Sequence, residues 1–196
     1  SLFSKKDYKS LYESSSRADR EELYRWIEYY KIKFKSRVYT PLNNSEKYTL
    51  VLMGRADFGL LGSYNKYKQT PFETFHVGGD GMTGSYTYAT ETIGLRGYDN
   101  GALTPYSDGR AYTRFSMELH FPFLLQPSST IYGLAFVEGG NAWTSLENFN
   151  PFSLKRSAGV GVRIFLPMIG LMGIDWAYGF DKIQGEKGGG HFHFIL

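Results

Sequence analysis

The feature that most restricts this chain is a strict period of two in its second half. Over 113–123, Thr113, Phe115, Met117, Leu119, Phe121 and Phe123 share one parity and Arg114, Ser116, Glu118 and His120 the other. Over 157–166, Ala158, Val160, Val162, Ile164 and Leu166 oppose Ser157, Gly159, Gly161, Arg163 and Phe165. Over 171–181, Met172, Ile174, Trp176, Tyr178 and Phe180 oppose Leu171, Gly173, Asp175, Ala177, Gly179 and Asp181. Side chains alternate across a strand, so these runs are β-strands with one uniformly apolar face. Further strands are read at 131–139 and at 191–196, where Phe192, Phe194 and Leu196 oppose two histidines. Two earlier ones lie at about 24–40 and 46–61. In the first of these, Trp26, Tyr30, Ile32, Phe34 and Val38 oppose Lys31, Lys33, Lys35 and Arg37; Leu23, Trp26, Ile27 and Tyr30 also have helical spacing, so a helical turn competes at its start.

Which face meets water decides the class. The polar faces carry Gly, Ser and Ala with isolated charges, unlike the dense Lys and Glu of a solvated exterior. The opposite faces are large and apolar, with Trp176, Tyr178, Phe121 and Phe123 near strand ends, where membrane barrels carry aromatic girdles. A soluble barrel would reverse the two. Connections alternate too, short around 41–46, 124–130 and 167–170 and longer at 62–109, 140–155 and 181–190, the habit of transmembrane barrels. The expectation is therefore an all-β chain that forms part of a transmembrane antiparallel β-barrel. No apolar run reaches the roughly 18 residues of a membrane helix. Mean hydropathy is −0.34, which a barrel tolerates because only alternate residues meet lipid. On this reading Ile174 and Val162 face lipid, and the inward Gly161 and Ala177 are expected to accept serine more cheaply than those two accept arginine. The 196 residues make one domain or part of one. An odd number of strands does not close a bacterial single-chain barrel, so more are expected before Ser1 or after Leu196. No signal segment follows Ser1, and the chain is expected to be an internal piece of a processed precursor.

The absence of cysteine excludes disulfides, thiolate metal sites and a cysteine nucleophile. A net charge of +3 is too balanced to suggest nucleic acid. Gly79-Asp80-Gly81-Met82-Thr83-Gly84 matches the dinucleotide-binding fingerprint, with Asp99 downstream, but the tyrosine-rich 85–90 that follows is not a helix, so a flexible folded loop is the better reading. His76, His120, His191 and His193 form no ligand cluster; His191 and His193 share a strand face, which is weak support for a metal. No serine sits in a nucleophile elbow and no acidic pair is placed for general acid/base work. Neither a catalytic residue nor a cofactor is expected. The row Lys31, Lys33, Lys35 and Arg37 reads as a wet barrel wall, with an anion patch as the alternative.

The long stretch 62–109 holds Ile93-Gly94-Leu95-Arg96-Gly97-Tyr98, a cation between glycines in a loop of a length that is usually functional. Leu95-Arg96-Gly97-Tyr98 resembles the signature of the long sixth extracellular loop of the BamA family, preceded as there by an aromatic, Phe75, and the pair Gly78-Gly79. Glu118 within Ser116-Met117-Glu118-Leu119, then Glu138-Gly139-Gly140-Asn141-Ala142-Trp143 and Arg156-Ser157-Ala158-Gly159-Val160-Gly161, follow in the family's order. Ile174-Asp175-Trp176 and Phe152-Ser153-Leu154-Lys155-Arg156-Ser157 look most like members from the Bacteroides and Flavobacterium group. The resemblance implies the tenth through sixteenth strands of a sixteen-strand barrel in the outer membrane of a Gram-negative bacterium. Upstream it implies POTRA repeats and the first strands, with 1–22 as an extracellular loop and 62–109 as the long loop. It implies an assembly factor that folds nascent β-barrel proteins into the membrane, with accessory periplasmic or lipoprotein subunits and outer-membrane lipid as further partners. It places a lumen lock between Arg96 and the wall residues Glu118 and Glu138, with Phe136 packing nearby, and a last-strand edge at Phe192 and Phe194. The alternative is a two-partner-secretion exporter, whose family shares the Arg-Gly-aromatic signature; an unpaired loop arginine in water is the plain alternative for Arg96.

Overall fold

A computed structural model of the chain describes residues 8–45, 48–65, 67–70, 73–81, 90–106, 108–126, 128–183 and 189–195. The described chain begins with two short helices, α1 (Tyr8–Glu13) and α2 (Arg17–Tyr24). Nine strands follow: β1 (Tyr29–Pro41), β2 (Val51–Ser63), β3 (Thr74–Val77), β4 (Thr90–Ile93), β5 (Ala111–Gln126), β6 (Ser129–Trp143), β7 (Lys155–Leu166), β8 (Gly170–Gly179) and β9 (Gly190–Ile195). Seven of them form one antiparallel sheet in the order β1-β2-β5-β6-β7-β8-β9. All seven strands expected from the alternation are there. The sheet is not closed, β1 and β9 each pairing on one side among the described residues. Among the described residues no helix is long and apolar enough to cross a membrane.

The first strand starts later than its aromatic parity suggested. Residues 17–24 are rich in Arg, Glu, Ala and Leu, all good helix formers. Arg17 pairs with Glu21 one turn on at 3.0 Å, and Leu23 is buried, so α2 runs to Tyr24 and the strand begins at Tyr29. Within the segment expected to be an extracellular loop, 1–22, the described residues carry α1 and most of α2. Likewise β2 begins at Val51, because Asn43 closes the preceding turn: its amide accepts from Leu50 N–H at 2.8 Å and donates to the Tyr48 carbonyl at 2.9 Å.

Register fixes the two faces. Phe34 pairs with Phe58 across β1 and β2, and Phe115 of β5 lies diagonal to Phe58 on the same face, with ring centroids 6.1 and 5.4 Å apart. Ile32, Val38, Met117, Val137, Val160, Val162, Ile174, Trp176 and Phe192 are exposed on that same outward side. The other face is buried although it is the polar one: Asp57, Arg114, Ser116, Glu138, Ser157, Arg163 and Asp175 are all at most 9 % exposed. A sheet whose buried side is polar and whose open side is apolar is the inverse of a soluble β-protein and fits lipid outside. Ile174→Arg or Val162→Arg is expected to destabilise the membrane-inserted protein by about 2–4 kcal/mol if the position lies near the midplane. Urea titration of folding into vesicles measures this, and a neutral result would invert the two faces.

What buries the polar face is the connection between β2 and β5. It folds back over the sheet and contributes β3 and β4, a two-stranded parallel pair joining Thr74 to Thr90 through Val77 to Ile93. Phe75, Val77 and Ile93 pack with Leu61 and Tyr112 of the wall into a small apolar core, with Phe75 edge-on to Tyr112 at 4.7 Å. A second cluster, Leu134, Phe136 and Ala177, lies on the same face of β6 and β8. The core therefore sits between the loop and the inner wall.

Candidate functional site

The backbone delivers Arg96 to the wall through a series of tight approaches. Gly78 and Gly79 adopt φ of 135° and 73°, in the range that favours glycine. They turn the chain so that Gly79 accepts from Leu95 N–H at 3.0 Å and Gly78 donates to the Ile93 carbonyl at 3.0 Å. The glycines of the apparent nucleotide fingerprint are thus accounted for by loop geometry as far as Gly81; Met82-Thr83-Gly84 and 85–89 lie outside the described residues. Leu95 is buried over Gly140. Gly97, at φ 88°, presses against Ser157 and Gly179, and its N–H donates to His193 Nε2 at 2.9 Å. The Tyr98 hydroxyl donates to the Arg156 carbonyl at 2.6 Å.

Arg96 itself is 4 % exposed and meets three carboxylates from three strands. Its Nη2 reaches Glu138 Oε1 at 2.7 Å and forms a very short ion pair with Glu118; its Nη1 reaches Asp175 Oδ2 at 2.9 Å. Its backbone N–H also donates to Glu138 Oε2 at 3.0 Å, and its guanidinium lies over the Phe136 ring, 3.5 Å from the centroid. Around this centre the wall supplies its own cations. Arg114 Nη2 bonds Glu138 at 2.7 Å, Ser116 Oγ donates to the same oxygen at 3.0 Å, and Arg163 clamps Asp175 with both terminal nitrogens. His120 lies 2.9 Å from the second oxygen of Glu118. The result is three guanidinium groups against three carboxylates, so a buried cluster that would be prohibitive singly is balanced.

The structure brings together Leu95, Arg96, Gly97, Tyr98, Glu118, Phe136 and Glu138, with Gly78 and Gly79 behind them. Phe192 and Phe194 stand apart, exposed on the outward face of β9. Sequence reasoning missed Asp175, Arg163, Arg114 and His193 as members. A signal was present: Gly161 faces Asp175 and Gly173 faces Arg163 in the β7–β8 register, a glycine opposite each buried charge. A Cβ at Gly161 would lie 1.7 Å from Asp175 Oδ1 and one at Gly173 2.6 Å from Arg163 Cδ. That corrects the expectation that Gly161 accepts serine cheaply, because its missing side chain is the space the carboxylate fills. It also corrects the picture of an arginine between two acids alone, since Glu138 keeps Arg114 when Arg96 is gone.

The basic row on β1 has a defined partner. Lys31 Nζ meets Glu73 at 2.7 Å and Glu91 at 3.1 Å, Lys33 meets Glu91 at 3.1 Å, and Lys35 meets it at 3.5 Å. Both glutamates belong to the loop, so the row holds the loop's flank. Burial opposes ionisation of Glu91, but hydrogen bonds from Lys33 and Lys31 outweigh it and hold the carboxyl below its ordinary value of 4.5. A carboxyl with a depressed folded-state pKa contributes stability that is present above the ordinary value and is lost as pH falls through the lower one. Protection of the β3–β4 segment from hydrogen exchange is therefore expected to stay level from neutral pH down to about 5 and to fall below that. A Glu91→Gln variant should flatten the profile; an unchanged profile would remove Glu91 from the clasp. Of the histidine pair, His193 serves the loop backbone and His191 Nδ1 lies 3.1 Å from Asp99; among the described residues no three metal-ligating groups converge.

The sequence profile of the Omp85 superfamily domain matches residues 16–196. The chain belongs to the Omp85 superfamily. Its fold is similar to that of BamA from Haemophilus ducreyi in the crystal structure lacking POTRA domains 1–3, with a TM-score of 0.61 and 20% identity over 86% of this chain and 35% of that one. The chain thus spans about a third of that structure's length. At 20% identity the likeness speaks for the fold alone.

Proposed function

We propose that this Omp85 chain is the C-terminal barrel portion of an assembly factor that folds and inserts nascent β-barrel proteins into the outer membrane of a Gram-negative bacterium. Its kin would be the Bacteroides-like members of the BamA family, with accessory periplasmic or lipoprotein subunits and outer-membrane lipid as partners. The observation that carries the reading is the seat of Arg96, tied at once to β5, β6 and β8 through Glu118, Glu138 and Asp175. A loop so held stiffens the wall of the barrel and keeps the space inside occupied, which suits work done at the wall more than conduction through the lumen. The work is non-enzymatic: no bond is made or broken. A nascent strand gains main-chain hydrogen bonds by adding to an exposed edge, and locally thinned lipid lowers the barrier to its entry. Phe192 and Phe194, pointing outward on β9, would dress the lipid side of such an edge.

Full-length protein in vesicles, mixed with a urea-unfolded barrel client, tests this. The client is expected to acquire its heat-modifiable folded form faster with the native protein than with empty vesicles, and an Arg96→Ala variant is expected to lose most of that gain. Passage of an unfolded polypeptide into the vesicle, with no client folded in the bilayer, would instead assign the exporter role.

A further inference from the structure

Strand β9 is the shortest of the seven in the sheet, six residues from Gly190 to Ile195, and among the described residues it pairs with β8 alone. A slip of one residue would turn Phe192 and Phe194 inward and is excluded by patterning. A slip of two residues keeps every side chain on its proper face, so the alternation of β9 does not prevent it. Something else must fix the register of so short an edge.

The inward histidines supply it. His193 is buried and stands opposite Asp175, whose carboxylate is already taken by Arg163 and Arg96. Its imidazole serves the loop instead, Nε2 accepting the Gly97 N–H at 2.9 Å. His191, two residues away on the same face, has Nδ1 3.1 Å from Asp99 Oδ1, and Asp99 is two residues from Gly97. The spacing of the two imidazoles on β9 thus matches the spacing of their two partners in the loop. Sliding β9 until Ile195 stands opposite Asp175 leaves the Gly97 N–H facing a side chain with no acceptor, and a buried donor without a partner is costly. Sliding it the other way brings His191 to Gly97 and gives up Asp99. The Asp99 side chain is 81% exposed, so that second contact is weak and His193 acts chiefly against the first slip.

We infer that His193 is a positioning residue that ties the register of the edge strand β9 to the docked loop, through the backbone N–H of Gly97. Arg96 holds the loop to β5, β6 and β8, and the residue after it passes that hold on to β9. The consequence for a client rests on the assembly role proposed above: a strand adding to β9 meets its main-chain donors and acceptors in one phase only while the loop is seated. The register link itself is independent of that role.

Cysteine pairs on the outward face read the register of the full-length protein in vesicles, since these 196 residues contain no cysteine. Ile174 stands directly opposite Phe194, so Ile174→Cys with Phe194→Cys reports the native register, and Trp176→Cys with Phe194→Cys reports the slip that brings Ile195 opposite Asp175. In the native background the first pair is expected to close and the second to close little. His193→Leu should raise the ratio of slipped to native crosslink about tenfold, the factor that ~1.4 kcal/mol gives. His193→Gln should restore the native ratio, because its amide oxygen accepts from the Gly97 N–H. Arg96→Ala should raise the ratio as His193→Leu does although β9 is untouched, and it makes the test even if His193→Leu does not insert. A ratio unmoved by Arg96→Ala, or raised as much by His193→Gln as by His193→Leu, would overturn the link. Client folding in the same vesicles should slow in His193→Leu and recover in His193→Gln. A raised ratio with client folding unaffected would support the link and count against the assembly role alone.

Discussion

Replacing Arg96 by alanine is expected to lift the loop between β2 and β5 off the inner wall, with a cost of about 3–5 kcal/mol to its docking, the usual penalty for leaving a buried charge without its partner. The cluster then holds two guanidinium groups against three carboxylates. The imbalance does not fall evenly. Glu138 keeps Arg114 and the Ser116 hydroxyl, and Asp175 keeps both nitrogens of Arg163. Glu118 loses its only guanidinium among the described residues and retains His120. A second change, Glu118→Gln, should accordingly recover part of the loss in the Arg96→Ala background, whereas Glu138→Gln should add to it, because that carboxylate still pairs with Arg114. Lysine at 96 is a poor substitute, since a point charge cannot span Glu118, Glu138 and Asp175 at once as a planar fork does. Protease resistance and hydrogen exchange of 90–106 in the full-length protein read the docking directly, and growth of cells depending on the variant reads its consequence. Full protection in Arg96→Ala, or strict additivity of Arg96→Ala with Glu118→Gln, would sink the idea that this arginine pins the loop.

The strand architecture was legible because each lipid-facing row is long and uniformly apolar, which leaves parity unambiguous from Thr113 to Phe123 and from Ser157 to Leu166. The first strand was less so. Trp26 carries the parity of Ile32 and Phe34, yet the residues just before it make helical contacts of their own, and local helix formation won up to Tyr24. Strands β3 and β4 had no chance of being read: each is four residues long, and their parallel pairing depends on Phe75 and Ile93 finding Leu61 and Tyr112 across the lumen. Within the site, Arg96 stood out because glycines flank it, whereas Glu118 and Glu138 were singled out through the family resemblance. Asp175 and Arg163 were placed on the inward face and left there. Their role appears only when register sets each against a glycine of the neighbouring strand, a fact of pairing that no single strand encodes.

Gly179→Val should displace the loop without touching any charge. A Cβ at 179 would sit 2.3 Å from the Gly97 carbonyl oxygen and 2.8 Å from the Tyr98 ring, and the nearer of the two is backbone, which cannot swing aside as a long side chain could. Valine adds two methyl groups to that collision, so Gly97 must retreat. Gly97 is bonded to Arg96 on one side and donates to His193 on the other, and its retreat draws the guanidinium from all three carboxylates and breaks the 2.9 Å bond to the imidazole. The cost is therefore expected to approach that of Arg96→Ala, about 3–5 kcal/mol, though every member of the cluster is still present. Because both changes abolish one docked state, the double variant should be little worse than either alone. Gly54→Val makes the same chemical change in β2 on the outward face, where an added Cβ meets nothing within 4 Å, and should leave protection of 90–106 intact. If Gly179→Val left the loop protected while Arg96→Ala freed it, the loop would be held by charge with no need of close backbone contact at Gly97. The reverse result would reduce the buried charges to passengers of a fit made by the glycines.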